Sequence, residues 1–330
     1  MQNIKSVLTT SIIIVSLIIP LIGICLLYDP NIKFEITNYI ISITIFTIYQ
    51  SFLSALISLI IGSIFAYYLK KNSEIGIIKL IVNLLSILFV MPTIIIVLGM
   101  LTFFNSFTNI YGPFGIVFCH VILNLPLATR IIYQSLNDIS GNEYILAEQM
   151  GLKKFETFLA TEWQIIKKNA PSLFALIFFI CFVSFTPVLI LGGSPKYSTI
   201  EVSIYQSVVF LNNYNTAFYL LILQLLICSI IFFLTFKNFK SENFFLDDRK
   251  IHIKNEIYFR NKLTDYSIII FISLTLFISP IAIFFRGINL KFFEVFSSNY
   301  FLSSLSDTFL ICFGSGILSL LFTLNILQIL

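Results

Sequence analysis

Residues 143–169 read EYILAEQMGLKKFETFLATEWQIIKKN. Charge recurs through this stretch, at Glu143, Glu148, Lys153, Lys154, Glu156, Glu162, Lys167 and Lys168, in a chain that is only 11% charged and 58% hydrophobic. Good helix formers run up to Met150, and Gly151 can take the left-handed conformation that stops a helix. Beyond it Leu152, Phe155, Phe158, Leu159, Trp163 and Ile166 recur at helical spacing, with the lysines and Glu156 between them. The stretch therefore predicts a helix, a glycine bend and an amphipathic second helix, projecting from something far more apolar. An aromatic face of this kind suits insertion into a partner's groove.

The surroundings explain the contrast. Mean hydropathy is +0.97 over 330 residues, and uncharged runs approach or exceed the roughly 20 residues that cross a bilayer as helix. The chain reads as an all-α polytopic membrane protein; a transmembrane barrel would show short alternating segments instead. About eight spans are expected, at 6–28, 46–69, 77–104, 114–136, 171–193, 214–236, 266–285 and 308–330. The first has the look of a signal peptide but lacks a small-residue cleavage site, so it reads as a retained helix. With these spans, sixteen of the 20 Lys and Arg fall on one side, and Lys33, Lys196, Arg286 and Lys291 on the other. The positive-inside rule then puts the N-terminus and residues 143–169 in the cytoplasm. The segments 29–45, 105–113, 194–213 and 286–307 face outward.

The chain also repeats itself. SIIIVSLIIP (11–20) returns as SIIIFISLTLFISP (267–280), and IKFEITNYI (32–40) as LKFFEVFSSNYF (290–301). Pro20 maps to Pro280 and Tyr39 to Tyr300, at nearly one offset. The expected organisation is a first six-span unit at 1–236, a charged cytoplasmic linker at 237–265 that includes His252, and the start of a second, incomplete unit at 266–330.

Chemistry-bearing residues are sparse. Five cysteines lie in apolar runs without metal-like spacing, which reads as small core residues. No metal site, P-loop or catalytic constellation is legible, so the chain is not expected to be an enzyme. No intramembrane acidic pair offers a proton path, which argues against an ion-coupled transporter. Polar residues within spans are candidates for lining a pathway: Gln50 and Ser54 on one helix face, His120 and Asn124 four residues apart, Ser184 and Thr186 ahead of Pro187, and Gln224. Helix–helix hydrogen bonding is the alternative role for each. The run GGSPKYSTIEVSIYQSVVFLNN (192–213) turns at Gly192, Gly193 and Pro195, then continues amphipathically through Ile200, Val202 and Tyr205. Docking an outside partner and capping the bundle are equal readings of it.

Residues 143–169 resemble the EAA loop of ABC importer permeases. Ala147 and Gly151 fit that pattern. Ile145 stands at its glutamate with Glu148 nearby, and TEWQ (161–164) stands where it reads I-x-L-P, so that Gln164 replaces a proline. Together with LNLPLATR (123–130), AEQMGLKKFETFLATEWQIIKK (147–168) and ALIFFICFVSFTPVLILGGSPKYSTIEVSIYQ (175–206), the chain resembles the permeases of thiamine-type ABC importers. The resemblance implies a type I ABC importer permease fold in a bacterial inner membrane. It implies cytoplasmic ATPase subunits that carry ATP and magnesium, a periplasmic thiamine-binding protein, and no cofactor or nucleic acid on this chain. Substrate, thiamine or its phosphates, would move inward by alternating access. Gly151 would be the hinge of the ATPase-coupling loop formed by Ala147, Glu148, Gly151, Phe155, Phe158 and Trp163, with Phe155, Phe158 and Trp163 turned towards the ATPase. A ferric-iron or other small-solute permease of the same architecture is the alternative, as is a non-functional truncated remnant.

Overall fold

In the computed structural model the described residues are isolated positions between 15 and 23, then 37–236 apart from 105, 106 and 108, and 262–327 apart from 289–291. The predicted span 6–28 lies almost entirely outside them, as do 237–261 of the linker and His252. Numbered from the first described helix, the order is α1 Asn38–Lys71, α2 Gly76–Val90, α3 Thr93–Phe104, α4 Pro113–Asn137, α5 Gly141–Gln149, α6 Lys154–Ala160 and α7 Glu162–Phe182. Then follow α8 Thr186–Leu191, α9 Ile200–Val209, α10 Tyr214–Phe236, α11 Lys262–Gly287, α12 Phe292–Phe296 and α13 Asn299–Leu327. No strand occurs among the described residues. Six helices are long and apolar enough to cross a membrane, or up to seven if one bent pair counts as a span. The chain is a multi-pass helical membrane protein.

Two predicted spans and one predicted loop change shape. Residues 77–104 form not one helix but α2 and α3, bent by 105°. Pro92 has no N–H to continue the ladder and pushes the preceding residue out of the helical region; Met91 duly sits extended at ψ 137°. The predicted span 171–193 instead begins as α7 at Glu162 and passes through Pro171. It breaks at 183–185, just before α8, where Pro187 takes a first-turn position that needs no N–H partner. The expected outer loop 194–213 contains α9. Two more helices start earlier than apolarity alone indicates: α1 at Asn38, where the Thr37 side chain accepts a hydrogen bond from the Ile40 N–H, and α13 at Asn299.

The bundle is built around α4, which is buried over most of its length. Helices α1 and α7 pack on it and on each other. At Gly62 of α1, an added Cβ would come within 2.6 Å of the Ala128 Cβ of α4, so glycine allows the two backbones to approach. One apolar cluster joins α1, α4, α7 and α10 through Ile43, Ala55, Ile132, Phe178 and Leu220. A second joins α2, α3, α4 and α11 through Leu85, Val97, Val121 and Leu276. Helix α11 runs along α3, where Gly99 meets the Ser279 carbonyl so closely that no Cβ fits. The N-terminal end of α11 is tied to α1 by a buried ion pair: Lys71 Nζ lies 3.0 Å from one Asp265 carboxylate oxygen and 2.9 Å from the other. Helix α13 has none of its span buried in this chain.

Candidate functional site

The polar segment 138–161 hangs at the end of the bundle where α1 and α4 finish. Helix α5 ends in a paired turn: Gly151, at φ +70°, donates its N–H to the Glu148 carbonyl at 2.9 Å, and Leu152 donates to the Ala147 carbonyl at 3.1 Å. This is the glycine-terminated closure that satisfies the last carbonyls of a helix. Helix α6 then restarts, the Glu156 carboxylate accepting the Lys153 backbone N–H at 2.7 Å. Thr161 separates α6 from α7, so the expected amphipathic second helix is two helices, the latter continuous with a span.

The segment is pinned from inside. Glu162 is buried, and the Tyr144 hydroxyl of α5 donates to one of its oxygens at 3.0 Å while the Thr161 hydroxyl bonds the other. A buried carboxylate must be held by hydrogen bonds to stay, and these bonds clamp α5 onto the start of α7. Ala147 is buried too. Phe158 turns inward, its ring 5.1 Å from that of Tyr67 of α1 at 78°. Two residues beyond Tyr67's neighbour, Lys70 donates to the Leu136 carbonyl of α4 at 2.7 Å.

The outer side is apolar and open. Met150, Phe155, Leu146 and Trp163 are 75, 69, 56 and 44% exposed. Of the residues expected to face a partner, Phe155, Trp163 and Glu148 are exposed, whereas Phe158 is turned into the bundle because Tyr67 offers it an aromatic face. Tyr144, Glu162, Leu146 and Met150 were not singled out from sequence. The spacing Tyr144–Glu162 has no local signature, whereas Leu146 of α5 and Met150 at its C-terminal cap, four apart, were readable as one face.

The pathway candidates divide. Gln50, Ser54, His120, Asn124 and Ser184 gather between α1, α4 and α7. Gln50 Nε2 donates to the Cys181 carbonyl at 3.1 Å. His120 Nε2 lies 2.8 Å from the Ser184 Oγ. Asn124 Nδ2 donates to the His120 carbonyl at 2.8 Å and reaches Cys181 Sγ at 3.3 Å. All but Ser184 are fully buried. The Gln50 Oε1, Ser54 Oγ and His120 Nδ1 atoms have no protein partner among the described residues. These hydrogen bonds tie α1 and α4 to α7 and the residues just after it. Thr186 is half-buried at the start of α8. Gln224 lies elsewhere, on α10, donating to Glu201 of α9 at 2.8 Å. Among the described residues no group of three or more His, Cys, Asp or Glu is placed to hold a metal.

No family model matches the chain. It is similar to curated proteins that all carry the name thiamine transport system permease protein ThiP. The one from Haemophilus influenzae is 32% identical over 213 residues, 60% of this chain and 39% of its own length. That from Escherichia coli is 28% identical over 315 residues, 88% of this chain and 57% of its own. That from Brucella abortus is 30% identical over 198 residues, 56% of this chain and 36% of its own. The chain thus spans at most a little over half the length of the relatives it matches. The likeness to thiamine permeases read from LNLPLATR and LGGSP–TIE–IYQ holds across most of the chain.

Proposed function

We propose that this relative of thiamine transport permeases forms membrane-spanning permease structure of a binding-protein-dependent ABC importer for thiamine or its phosphates. Substrate moves inward by alternating access, driven by a partner ATPase that binds the ATP and magnesium. The chain lies in a bacterial cytoplasmic membrane with its N-terminus inside, and a periplasmic binding protein delivers substrate to its outer face. Residues 1–236 are a first permease unit, 237–265 a cytoplasmic linker and 266–330 the start of a second unit.

The observation that carries the reading is the bent helix pair α5–α6. Tyr144 of α5 ties it to Glu162 at the start of α7, while Leu146, Met150 and Phe155, with Trp163 of α7 beside Glu162, are exposed. An exposed apolar patch on a rigid polar loop marks a protein interface, and aromatic residues are the usual anchors of one. A force applied to α6 has a route into the bundle through Phe158 and Tyr67.

The test is co-purification with the thiamine-transporter ATPase, together with uptake of labelled thiamine in a strain lacking its own permease. The paired change Phe155→Ser and Trp163→Ser should lower ATPase retention at least about tenfold, as the loss of two anchors predicts, with the thermal midpoint unchanged. Retention equal to wild type would refute the proposed docking face.

A further inference from the structure

Glu201 is the group that the segment 192–213, read as an outer loop, conceals. It stands in the first turn of α9, and Gln224 donates to its Oε2 at 2.8 Å. Gln224 lies ten residues from one end of α10 and twelve from the other, so it sits about 15 Å from Tyr214 along the axis. Residues Tyr214–Phe233 of this helix are long and apolar enough to cross a membrane. The hydrogen bond therefore holds a carboxylate near the middle of a membrane-crossing helix.

Among the described residues no lysine, arginine or histidine pairs with Glu201. Its side chain is half-buried rather than sealed. An acidic group at that depth, turned to lipid, is expensive; such groups face the interior or a polar path and pair with a positive charge. One turn further along α9 from Glu201, at the i+4 position that shares its face, Tyr205 is 37% exposed. The Tyr205 ring is fixed by Phe185 at 5.0 Å and Phe210 at 5.8 Å, both edge-on. A carboxylate one helical turn from a braced aromatic ring has the chemistry to hold an organic cation, through the acid on one side and the ring face on the other.

We propose that Glu201 and Tyr205, backed by Gln224, Phe185 and Phe210, form a recognition point for a monovalent aromatic cation within the membrane. This deepens the thiamine reading, on which it rests for the identity of the substrate, because thiamine carries its permanent positive charge on a thiazolium ring. The carboxylate selects for charge, and Tyr205 selects for a flat, poorly hydrated cation over a small metal ion.

The experiment is equilibrium binding to the purified full chain in detergent, with three probes: labelled thiamine, benzyltrimethylammonium, and thiochrome, the uncharged tricyclic relative of thiamine. Both cations should bind and thiochrome should not compete. Glu201→Gln should weaken both cations at least about tenfold, Glu201→Asp should retain most binding, and the melting temperature should hold in each. Tyr205→Leu should cost about three- to tenfold and Tyr205→Phe little. Wild-type affinity in Glu201→Gln, equal competition by thiochrome, or binding of neither cation by the wild type would each overturn the proposal. Glu201-dependent binding of benzyltrimethylammonium without thiamine binding supports the cation site and sinks the thiamine reading. Undiminished thiamine uptake by Glu201→Gln does the reverse.

Discussion

Lys71 and Asp265 are 194 positions apart in sequence and buried against one another. Breaking such a pair by removing one partner strands the other charge, at a cost of about 3–5 kcal/mol, whereas replacing both with apolar residues can be nearly neutral. Lys71→Met alone should therefore lower the thermal midpoint in detergent strongly, and the double change Lys71→Met, Asp265→Leu should recover most of it. If the single and double variants melt alike, the pair carries no such weight. Gly151 makes a different demand. At φ +70° a side chain costs about 1–2 kcal/mol, although nothing lies within 4 Å of the added carbon. Gly151→Ala should loosen the α5–α6 turn without disturbing the bundle. Faster tryptic cleavage at Lys153 and Lys154, at an unchanged global melting temperature, is the expected result. The need for glycine here was legible from helix formers ending at Met150. The Lys71 partnership was not, because long-range charge pairing leaves no trace in local periodicity.

At the scale of elements, the contact between α6 and α1 is carried by Phe158 and Tyr67. Edge-to-face pairs contribute about 0.5–1.5 kcal/mol beyond their buried area, so a double-mutant cycle of Phe158→Leu and Tyr67→Leu should return a coupling energy in that range. Additive effects would mean that this ring pair does not couple α6 to α1. Helix α3 against α11 depends on Gly99. Gly99→Val forces a Cβ into the Ser279 carbonyl, and overpacking of this kind costs about 1–3 kcal/mol, measurable as a lower unfolding midpoint. The long apolar runs announced most of these helices, since twenty residues without charge leave little choice. What the runs did not announce were the breaks. Pro92 and Pro171 look alike in sequence, yet Pro92 bends its helix pair by 105° and Pro171 lies inside an unbroken helix. Whether a proline bends a helix is decided by neighbours that can take up the lost hydrogen bond, and those are set by packing.

At the scale of the whole molecule, the uneven distribution of Lys and Arg predicts sidedness. A cysteine placed at Lys153 should react with a membrane-impermeant maleimide only after the cells are opened, and one placed at Lys196 should react in intact spheroplasts. The opposite pattern would reverse the proposed orientation. The polar seam of Gln50, His120 and Asn124 was readable as a set of buried amides, hydroxyls and an imidazole on helix faces. The hydrogen bonds that tie it across α1, α4 and α7 were not, because a face lining a channel and a face meeting another helix carry the same periodicity. Glu201 escaped notice for the converse reason: a charged residue in a short amphipathic run looks like a loop until α10 is seen beside it. One short arc of α1 binds three separate parts, with Tyr67 on α6, Lys70 on the end of α4 and Lys71 on α11. Each added or lost residue turns a helix by about 100°. An insertion or deletion of one amino acid between Gly62 and Tyr67 would leave the hydropathy profile almost untouched while swinging all three grips out of phase together. This stretch of helix is thus indexed by length as much as by composition.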